Sequence, residues 1–184
     1  MTDQRVAYEL YRPVYPSPAG LITSVDAAGR PNIITLGEVF NLSIRTPVIV
    51  GIAIAPGRYS HELISASGEF VVNLPTGELL PKVLECGSFS GREVDKFAQV
   101  GLTAIPATHV KPPLIAECPV NIECRVVSVQ TIGDHDLFAG EALIHHVSPA
   151  ILNESGQIDP AKLSTVVIAG GHFFDLGAIL TAWD

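Results

Sequence analysis

Glycine and proline interrupt this 184-residue chain every few residues, with 16 Gly and 14 Pro in all. Both residue types break regular structure, and the apolar runs between them are short, which favours strands and turns over long helices. A helical bundle is therefore nearly excluded. Many short strands in a chain of this length are typical of a sheet that closes into a barrel, because closure leaves few unpaired edges. We expect a single domain over residues 1–184 that is mainly β with short helices.

The clearest local signal is a β-hairpin near the start of the chain. Ala19–Val25 alternates between apolar and small polar residues, and Asn32–Gly37 is a second strand-like run. Between them, Asp26–Arg30 has the composition of a turn, with Gly29 where a positive φ is needed. The two runs are therefore predicted to pair.

The rest of the chain continues the pattern of short elements, without an internal repeat or a flexible linker. The further predictions are a central strand buried on both faces at Pro47–Ala55, a short helix from an N-cap at Ser60 to Gly68, a strand at Phe70–Leu74, helical segments at Glu78–Cys86 and Glu93–Val100, a hairpin of Val120–Thr131 and Leu137–Val147 around a turn at Gly133–Asp136, and a strand at Thr165–Ile168.

The composition limits the partners of the chain. It is 47% hydrophobic and only 16% charged, whereas soluble domains usually carry about 25% charged residues. A small barrel with this apolar excess is predicted to share apolar surface with a second subunit, so we expect a homodimer. A net charge of −8, from 19 acidic and 11 basic residues, disfavours nucleic acids and anionic membranes as partners.

Neither export nor membrane insertion is indicated. The longest stretch without Asp, Glu, Lys or Arg is Phe97–Val110, shorter than the roughly 20 residues of a spanning helix. The N-terminal residues lack the basic and then apolar order of a secretory signal. The three cysteines form neither an even disulfide framework nor a paired zinc motif, so they are interpreted as reduced thiols. We expect a cytoplasmic protein.

The segment Pro56–Ile64 is the first candidate binding site. A helix that begins there would present free backbone N–H groups and the positive end of its dipole to an anion such as a phosphate. Arg58 and the hydroxyl of Ser60 would add further donors. An ordinary capped helix beside an exposed arginine is the alternative.

The second candidate is the loop Cys86–Phe97. It combines small residues, hydroxyl groups and cations, and could surround the polar part of a ligand with Lys96 as the counter-charge. A surface turn with a lysine–aspartate pair is the alternative.

His135 is the best candidate for a general acid, because neighbouring carboxylates favour its charged form near neutral pH. It lies between Asp134 and Asp136 at a predicted hairpin tip. Adjacent strand residues point in opposite directions, so these three side chains cannot all ligate one ion. The same reasoning applies to His145 and His146, and no metal site is predicted.

Asn32–Thr35 places two polar side chains in an otherwise apolar strand. If buried, they need hydrogen-bond partners, either a flat ring with donors and acceptors or the backbone at a bulge. Neither the nucleophile motif of a hydrolase nor the glycine motif of a Rossmann dinucleotide site is present.

Taken together, the segments of this chain resemble those of the flavin reductase-like, FMN-binding split-barrel family, and most closely its flavoredoxin branch. They span nearly the whole chain in the order of the family. The matching segments are Tyr15–Pro18, Gly29–Thr35, Arg58–Ile64, Gly68–Pro75, Cys86–Phe97, Gly101–Thr103, Pro113–Cys118 and His135–Glu141.

The resemblance implies a split β-barrel homodimer that holds non-covalent FMN near the subunit interface. It implies the following contacts: Asn32 and Thr35 with the ring or ribityl chain, the backbone of Gly51, Ile52 and Ala53 along the ring, Arg58, Ser60 and Lys96 on the phosphate, Ser88 and Ser90 as lesser contributors, His135 near the flavin from the hairpin, and either Phe173 or Phe174 stacked on one face.

Glu38 departs from the flavoredoxin branch, which often has an aromatic residue, commonly tryptophan, shortly after the Asn-x-x-Thr segment. Here the sequence is Glu38-Val-Phe40. A carboxylate near the flavin would disfavour the anionic reduced form and lower its potential, because like charges repel strongly in a poorly screened site. Glu38 either points away or tunes this protein differently.

The implied function is an FMN-dependent oxidoreductase that passes electrons from NADH or NADPH through the flavin to an unknown acceptor. One alternative is a non-enzymatic electron carrier whose FMN is reduced by a partner protein. Another is a flavin-binding module without turnover.

Overall fold

The structure, a computed structural model, describes residues 6, 7 and 10–181. These residues form twelve strands and three short helices, so the prediction of a mainly β chain with short helices is confirmed. The strands are β1 (Ser17–Pro18), β2 (Gly20–Val25), β3 (Pro31–Leu36), β4 (Val39–Ser43), β5 (Ile49–Ile54), β6 (Glu69–Leu74), β7 (Ala104–Ile105), β8 (Leu114–Ile115), β9 (Val120–Ile132), β10 (His135–Val147), β11 (Val166–Ala169) and β12 (His172–Asp175). The helices are α1 (Tyr59–Ser67), α2 (Leu80–Ser88) and α3 (Lys96–Val100).

Seven strands form one antiparallel sheet in the order β3-β2-β6-β9-β10-β5-β4. Its longest members, β9 and β10, carry two register shifts, at Ala139/Gly140 and Ala142/Ile144. Such bulges bend a strand and increase its twist. The sheet curls accordingly, and β3 approaches β5 although four strands separate them in the sheet order. The result is a half-open barrel.

The barrel interior is one apolar cluster to which all seven strands contribute. Phe70 and Phe138 are its largest members, and both are fully buried. A Cβ atom on Gly140 would lie 2.6 Å from the Phe70 ring, so close packing requires glycine there. The buried members are Ile22, Leu36, Val39, Val50, Ile52, Ile54, Ile64, Phe70, Val72, Cys124 and Phe138.

A second apolar layer covers the outer face of β2 and β3. Leu21 and Ile33 pack there against Val83 and Cys86 of α2 and Phe97 of α3. This packing brings the loop between α2 and α3 close to β3.

The β2–β3 hairpin and its turn are confirmed, with Gly29 at φ 82°. Three details of the sequence prediction are wrong. Helix α1 has Arg58, not Ser60, at its N-cap. The Gly133–Asp136 turn is shorter, because β10 already begins at His135. The strand predicted at the centre of the sheet, β5, is next to its edge.

The position of β5 was misjudged because β4 was not predicted. Phe40 and Leu42 of β4 lie over Gly51 of β5 and cover the face that the barrel interior does not. Strand β5, a nearly continuous apolar run, is therefore covered on both faces although it does not lie at the centre of the sheet. No helix among residues 6, 7 and 10–181 combines the length and the apolar character needed to cross a membrane.

Candidate functional site

A cleft of about 910 Å³ opens where β3, the end of β5, the start of α1, the loop after α2 and the β9–β10 turn meet. Eight of the residues singled out in the sequence line it, although they come from distant segments. They are Asn32, Thr35, Arg58, Ser60, Ser88, Ser90, Lys96 and His135.

Lys96 is the buried cation of the cleft. Its side chain belongs to the first residue of α3, is 5% exposed and donates from Nζ to the Cys86 carbonyl oxygen at 2.6 Å. Burial lowers the pKa of Lys96, and the nearby positive charge of Arg58 lowers it further. Burying an ammonium group is costly unless an anion compensates it. Lys96 and Arg58 lie close enough for their charges to interact, so one end of the cleft holds two positive charges.

Arg58 is the exposed cation at the same end, and it occupies the N-cap position of α1 without capping the helix through its side chain. It makes no ion pair with any carboxylate in the described part of the chain. The first turn of α1 adds free backbone N–H groups to the guanidinium. Arg58 therefore remains available to an anion.

Asn32 carries an acceptor without a partner. It is 4% exposed, and its Nδ2 donates to the Ser60 hydroxyl at 2.7 Å, whereas Oδ1 is buried without a hydrogen-bond partner among the described residues. A buried carbonyl oxygen without a donor costs about 1–3 kcal/mol. A Cβ atom on Gly91 would lie 1.9 Å from this oxygen. The loop therefore passes Asn32 closely enough to require glycine.

The remaining hydroxyl groups have local partners. Thr35 donates to the Val83 carbonyl oxygen at 2.7 Å, and Ser88 donates to that of Glu85 at 2.8 Å. The Ser90 hydroxyl accepts from the Arg92 N–H at 3.2 Å. Each of these oxygens can still form a further hydrogen bond on its cleft side.

His135 reaches the cleft from the turn between β9 and β10. Its Nδ1 lies 2.8 Å from Asp134 Oδ1, and this bond is the main cause that lowers the pKa of Asp134. The other neighbour, Asp136, pairs instead with His61. A histidine held at Nδ1 presents its Nε2 to a ligand.

Glu38 lines the cleft, and its carboxylate is paired. Its Oε1 lies 2.8 Å from Arg12 NH2, with the two side chains 29% and 44% exposed. Arg12 belongs to the segment before β1 and has φ 43°. Sequence analysis identified Glu38 but not its partner Arg12, because the two residues are 26 positions apart and share no sequence pattern.

Five of the residues that the family resemblance implied do not line this cleft. Gly51 is covered by Phe40 and Leu42, Ile52 is in the barrel interior, and Ala53 donates its backbone N–H to Glu38. Phe173 packs partly against the outer apolar layer, and Phe174 is 52% exposed on β12. The end of β5 lies nearer: its last residue, Ile54, and the following Ala55 line the cleft.

Cys86 lines the cleft as a buried thiol that the sequence placed in the loop without a specific role. Burial raises its pKa to about 11, against the opposing effect of the Lys96 charge. The thiol is therefore protonated at neutral pH and is poorly nucleophilic.

The two ends of the cleft differ in chemical character. One end combines Arg58, Lys96 and the hydroxyl of Ser60, which suits a phosphate group. Asn32 offers an unpaired acceptor beside that end, and Ile34 and Leu36 contribute apolar surface farther along β3. These residues fit a phosphorylated ligand with a polar chain and a flat ring.

The sequence matches a family model and has relatives among known proteins. Residues 10–175 match the family model described as flavin reductase like domain. The chain is 42% identical over 146 residues, 79% of its length and 80% of the relative's, to an uncharacterized protein of Archaeoglobus fulgidus. It is 33% identical over 125 residues, 67% of each chain, to the NADH:riboflavin 5'-phosphate oxidoreductase of Streptomyces pristinaespiralis.

The fold also has relatives among solved structures. The flavoredoxin of Desulfovibrio vulgaris (Miyazaki F) superposes with a TM-score of 0.89 over 97% of each chain, at 25% identity. The split-barrel fold and the resemblance to the flavoredoxin branch, both expected from the sequence, are confirmed. Because the family model covers residues 10–175 and the half-open barrel is shared, the chain belongs to the flavin reductase like domain family.

Proposed function

We propose that this chain binds FMN without a covalent bond and catalyses electron transfer from NADH or NADPH through the flavin to an acceptor. The observation that carries the proposal is the pair of cations at one end of the cleft, Lys96 and Arg58, in a chain with a net charge of −8.

The cations favour FMN over a flavin without phosphate. FMN ends in a phosphate monoester, which accepts several hydrogen bonds and carries nearly two negative charges at neutral pH. Lys96, Arg58 and the Ser60 hydroxyl would hold that group, with Ser88 and Ser90 on the adjacent loop. Bound phosphate would compensate the buried ammonium group of Lys96.

Asn32 supports the same orientation. Its unpaired Oδ1 lies beside the phosphate end and would accept a hydrogen bond from a hydroxyl or ring N–H of the ligand. Thr35 follows three residues later on β3. The flavin would supply the redox chemistry, since none of these side chains carries electrons.

The nicotinamide is proposed from two considerations. The Streptomyces relative is named as an NADH oxidoreductase that acts with riboflavin 5'-phosphate, which is FMN. His135 is held at Nδ1 by Asp134 and faces the cleft, where its Nε2 would accept a hydrogen bond from an N–H or O–H group of the incoming nicotinamide.

We also propose that the chain forms a homodimer. The edge strand β4 and its continuation expose Phe40, Leu42 and Ile44, which are 42%, 46% and 77% exposed. An apolar edge strand is a liability in a monomer and is usually covered.

A ligand series tests the cofactor. Purified chain freed of flavin is titrated with FMN, riboflavin and FAD, and binding is followed by flavin fluorescence. Charge-assisted phosphate contacts contribute about 1.5–3 kcal/mol each, so FMN should bind at least tenfold more tightly than riboflavin. Equal affinity for the two would contradict the phosphate site.

An anaerobic reaction tests the activity. The FMN-loaded chain is mixed with NADH or NADPH, and bleaching of the flavin band is followed, then its recovery on addition of free flavin or a ferric complex. Bleaching by either nicotinamide is expected. If neither reduces the bound flavin, the enzyme proposal is wrong and the carrier reduced by a partner protein takes its place.

A further inference from the structure

His61 on the first turn of α1 and Asp136 near the start of β10 form a partly buried pair. His61 Nε2 lies 2.7 Å from Asp136 Oδ2, and the two side chains are only 17% and 15% exposed. Neither residue lines the cleft, and the phosphate and nicotinamide contacts proposed above do not use them. The bond joins the helix at the cation end of the cleft to the hairpin that carries His135.

The direction of Asp136 follows from its neighbours on β10. Side chains two residues apart on a strand share a face, so Asp136 points to the same side as Phe138, which is fully buried in the barrel interior. The His61 ring packs edge-on against Phe138, with the centroids 5.2 Å apart and an interplanar angle of 77°. His61 therefore closes this end of the barrel and fixes Asp136 inward.

The inward direction of Asp136 determines where His135 points. Adjacent strand residues face opposite sides, so His135 is directed out of the barrel, where it lines the cleft. Pairing between β5 and β10 ends at Asp136 with Ile54, one residue short of His135. Beyond it, Ile132 is 54% exposed and the Asp134 side chain is 95% exposed. Asp136, with a side chain that is 15% exposed, is thus the partly buried, inward-facing side chain that lies nearest the turn on β10.

We propose that His61 and Asp136 are positioning residues that hold His135 in the orientation needed for the nicotinamide. The inference rests on the proposed function, because it assigns the nicotinamide contact to His135. It predicts that breaking the pair acts through His135 and leaves the phosphate end intact.

His61→Phe breaks the bond and keeps an aromatic ring against Phe138, while His61→Gln retains a donor for Asp136. The matched control is His146→Phe, which breaks another buried histidine–carboxylate pair, His146 Nε2 to Glu123 Oε1 at 2.6 Å, away from the cleft. Displacing a reacting or binding group by about 1 Å costs up to a hundredfold. In the FMN-loaded chain, His61→Phe should raise KM for the nicotinamide at least tenfold, with FMN affinity within twofold of wild type. His61→Gln should recover most of the loss, and His146→Phe should leave KM unchanged.

The decisive measurement is a double-mutant cycle. If His61 acts only through His135, adding His61→Phe to His135→Asn should change KM no further, whereas independent effects would add. Additive effects, or an unchanged KM in His61→Phe, overturn the inference.

A direct readout separates this inference from the proposed function. The ring ¹H–¹³C signal of His135, assigned by its loss in His135→Asn, should shift toward that of a free histidine in His61→Phe and stay in place in His146→Phe. An unmoved signal overturns the positioning role. Absence of nicotinamide oxidation by the wild-type chain contradicts the proposed function alone, since the signal still reports on His135.

If His61→Phe does not fold, Asp136→Ala is measured in the same way. It removes the acceptor of the bond, and the same pattern in KM, FMN affinity and the His135 signal is expected. Wild-type behaviour of a folded Asp136→Ala in all three overturns the inference.

Discussion

The guanidinium group of Arg12 lies 2.8 Å from the carboxylate of Glu38 at the side of the cleft. A carboxylate in this place would lower the potential of a bound flavin, as expected from the sequence. The arginine neutralises it from a segment outside the barrel. The pair is therefore predicted to keep the potential close to what an uncharged residue would give.

Removing one partner at a time should shift the flavin potential in opposite directions. Arg12→Ala leaves the carboxylate uncompensated and should lower the potential, while Glu38→Gln leaves the guanidinium and should raise it. Half-exposed ion pairs contribute about 0.2–1 kcal/mol, so each change should alter the relative affinity for reduced and oxidised flavin by roughly two- to fivefold. Spectroelectrochemical titration measures the potential of the bound flavin in each variant. The double variant should return toward wild type, and a shift of equal sign in both single variants would contradict the pairing.

Lys96→Met should weaken FMN binding by about tenfold or more, because it removes a charge-assisted contact to the phosphate. Riboflavin affinity should not change, since riboflavin has no phosphate. Lys82→Met is the matched control: its Nζ also donates to a backbone carbonyl, that of Gly101 at 2.5 Å, but outside the cleft. Fluorescence titration measures both affinities. Equal losses of affinity for FMN and riboflavin would show that Lys96 does not contact the phosphate.

Gly91→Ala should disrupt the cleft without unfolding the chain. The new methyl group would lie 1.9 Å from Asn32 Oδ1 and would displace Asn32 from Ser60. FMN affinity should fall about tenfold, the effect of losing a hydrogen bond to a well-placed group. Gly57→Ala is the control, because Gly57 also lines the cleft but has open space around its Cβ position. Comparable losses in both variants would show that the Asn32 contact is unimportant.

Glu123 should make the free energy of unfolding depend on pH in the acid range. Its carboxylate is fully buried and accepts from the backbone N–H groups of Thr108 at 2.7 Å and His109 at 2.6 Å, and from His146. Burial raises the pKa of Glu123, but the hydrogen bonds from Thr108, His146 and His109 together outweigh it and hold the pKa below 4.5.

A group with a lowered folded pKa stabilises above its unfolded pKa, so this contribution is complete above pH 4.5 and is lost as the pH falls through the folded pKa. Glu123→Gln should cost about 1–3 kcal/mol at neutral pH, because a donor then faces a backbone N–H. The substitution should also make the free energy of unfolding, measured by urea unfolding, less dependent on pH below pH 4.5. The exposed Glu154→Gln is the control, and an unchanged acid slope in Glu123→Gln would contradict the assignment.

Leu42→Asp should weaken the proposed homodimer, because it places a charge on the exposed edge strand β4. Sedimentation velocity should show a dimer for wild type and a dissociation constant at least tenfold higher for Leu42→Asp, since charges in a desolvated contact cost more than about 1.4 kcal/mol. Leu84→Asp, on α2 and 50% exposed, should stay dimeric. A wild-type monomer at every concentration would overturn the proposal.

Sequence patterns predicted six of the seven strands of the main sheet because alternation and turn residues act locally. The β2–β3 hairpin and the β9–β10 limbs follow from this periodicity. Strand β4 was missed because its apolar residues Phe40 and Leu42 point outward, and no local pattern tells an outward apolar residue from an inward one.

The candidate site was predicted where a residue type indicates its chemistry by itself. Asn32 was identified as a polar residue in an apolar strand, Lys96 as a cation in a loop of small and hydroxyl-bearing residues, and His135 as a histidine between two carboxylates. Pairs such as Arg12 with Glu38 or His61 with Asp136 depend on which distant segments meet, and the latter two are 75 positions apart in the sequence. That information resides in the sheet order rather than in any short motif.

The cleft of about 910 Å³ is assembled from segments that range from Tyr11 to His135. No single element or short segment contains its walls, so the cleft exists only where these distant segments are folded together. Binding of a ligand there would therefore oppose global unfolding by mass action, by about 2.7 kcal/mol at a free concentration one hundred times the dissociation constant. In a cell, the supply of this one small molecule would set how long each copy of the chain escapes proteolysis.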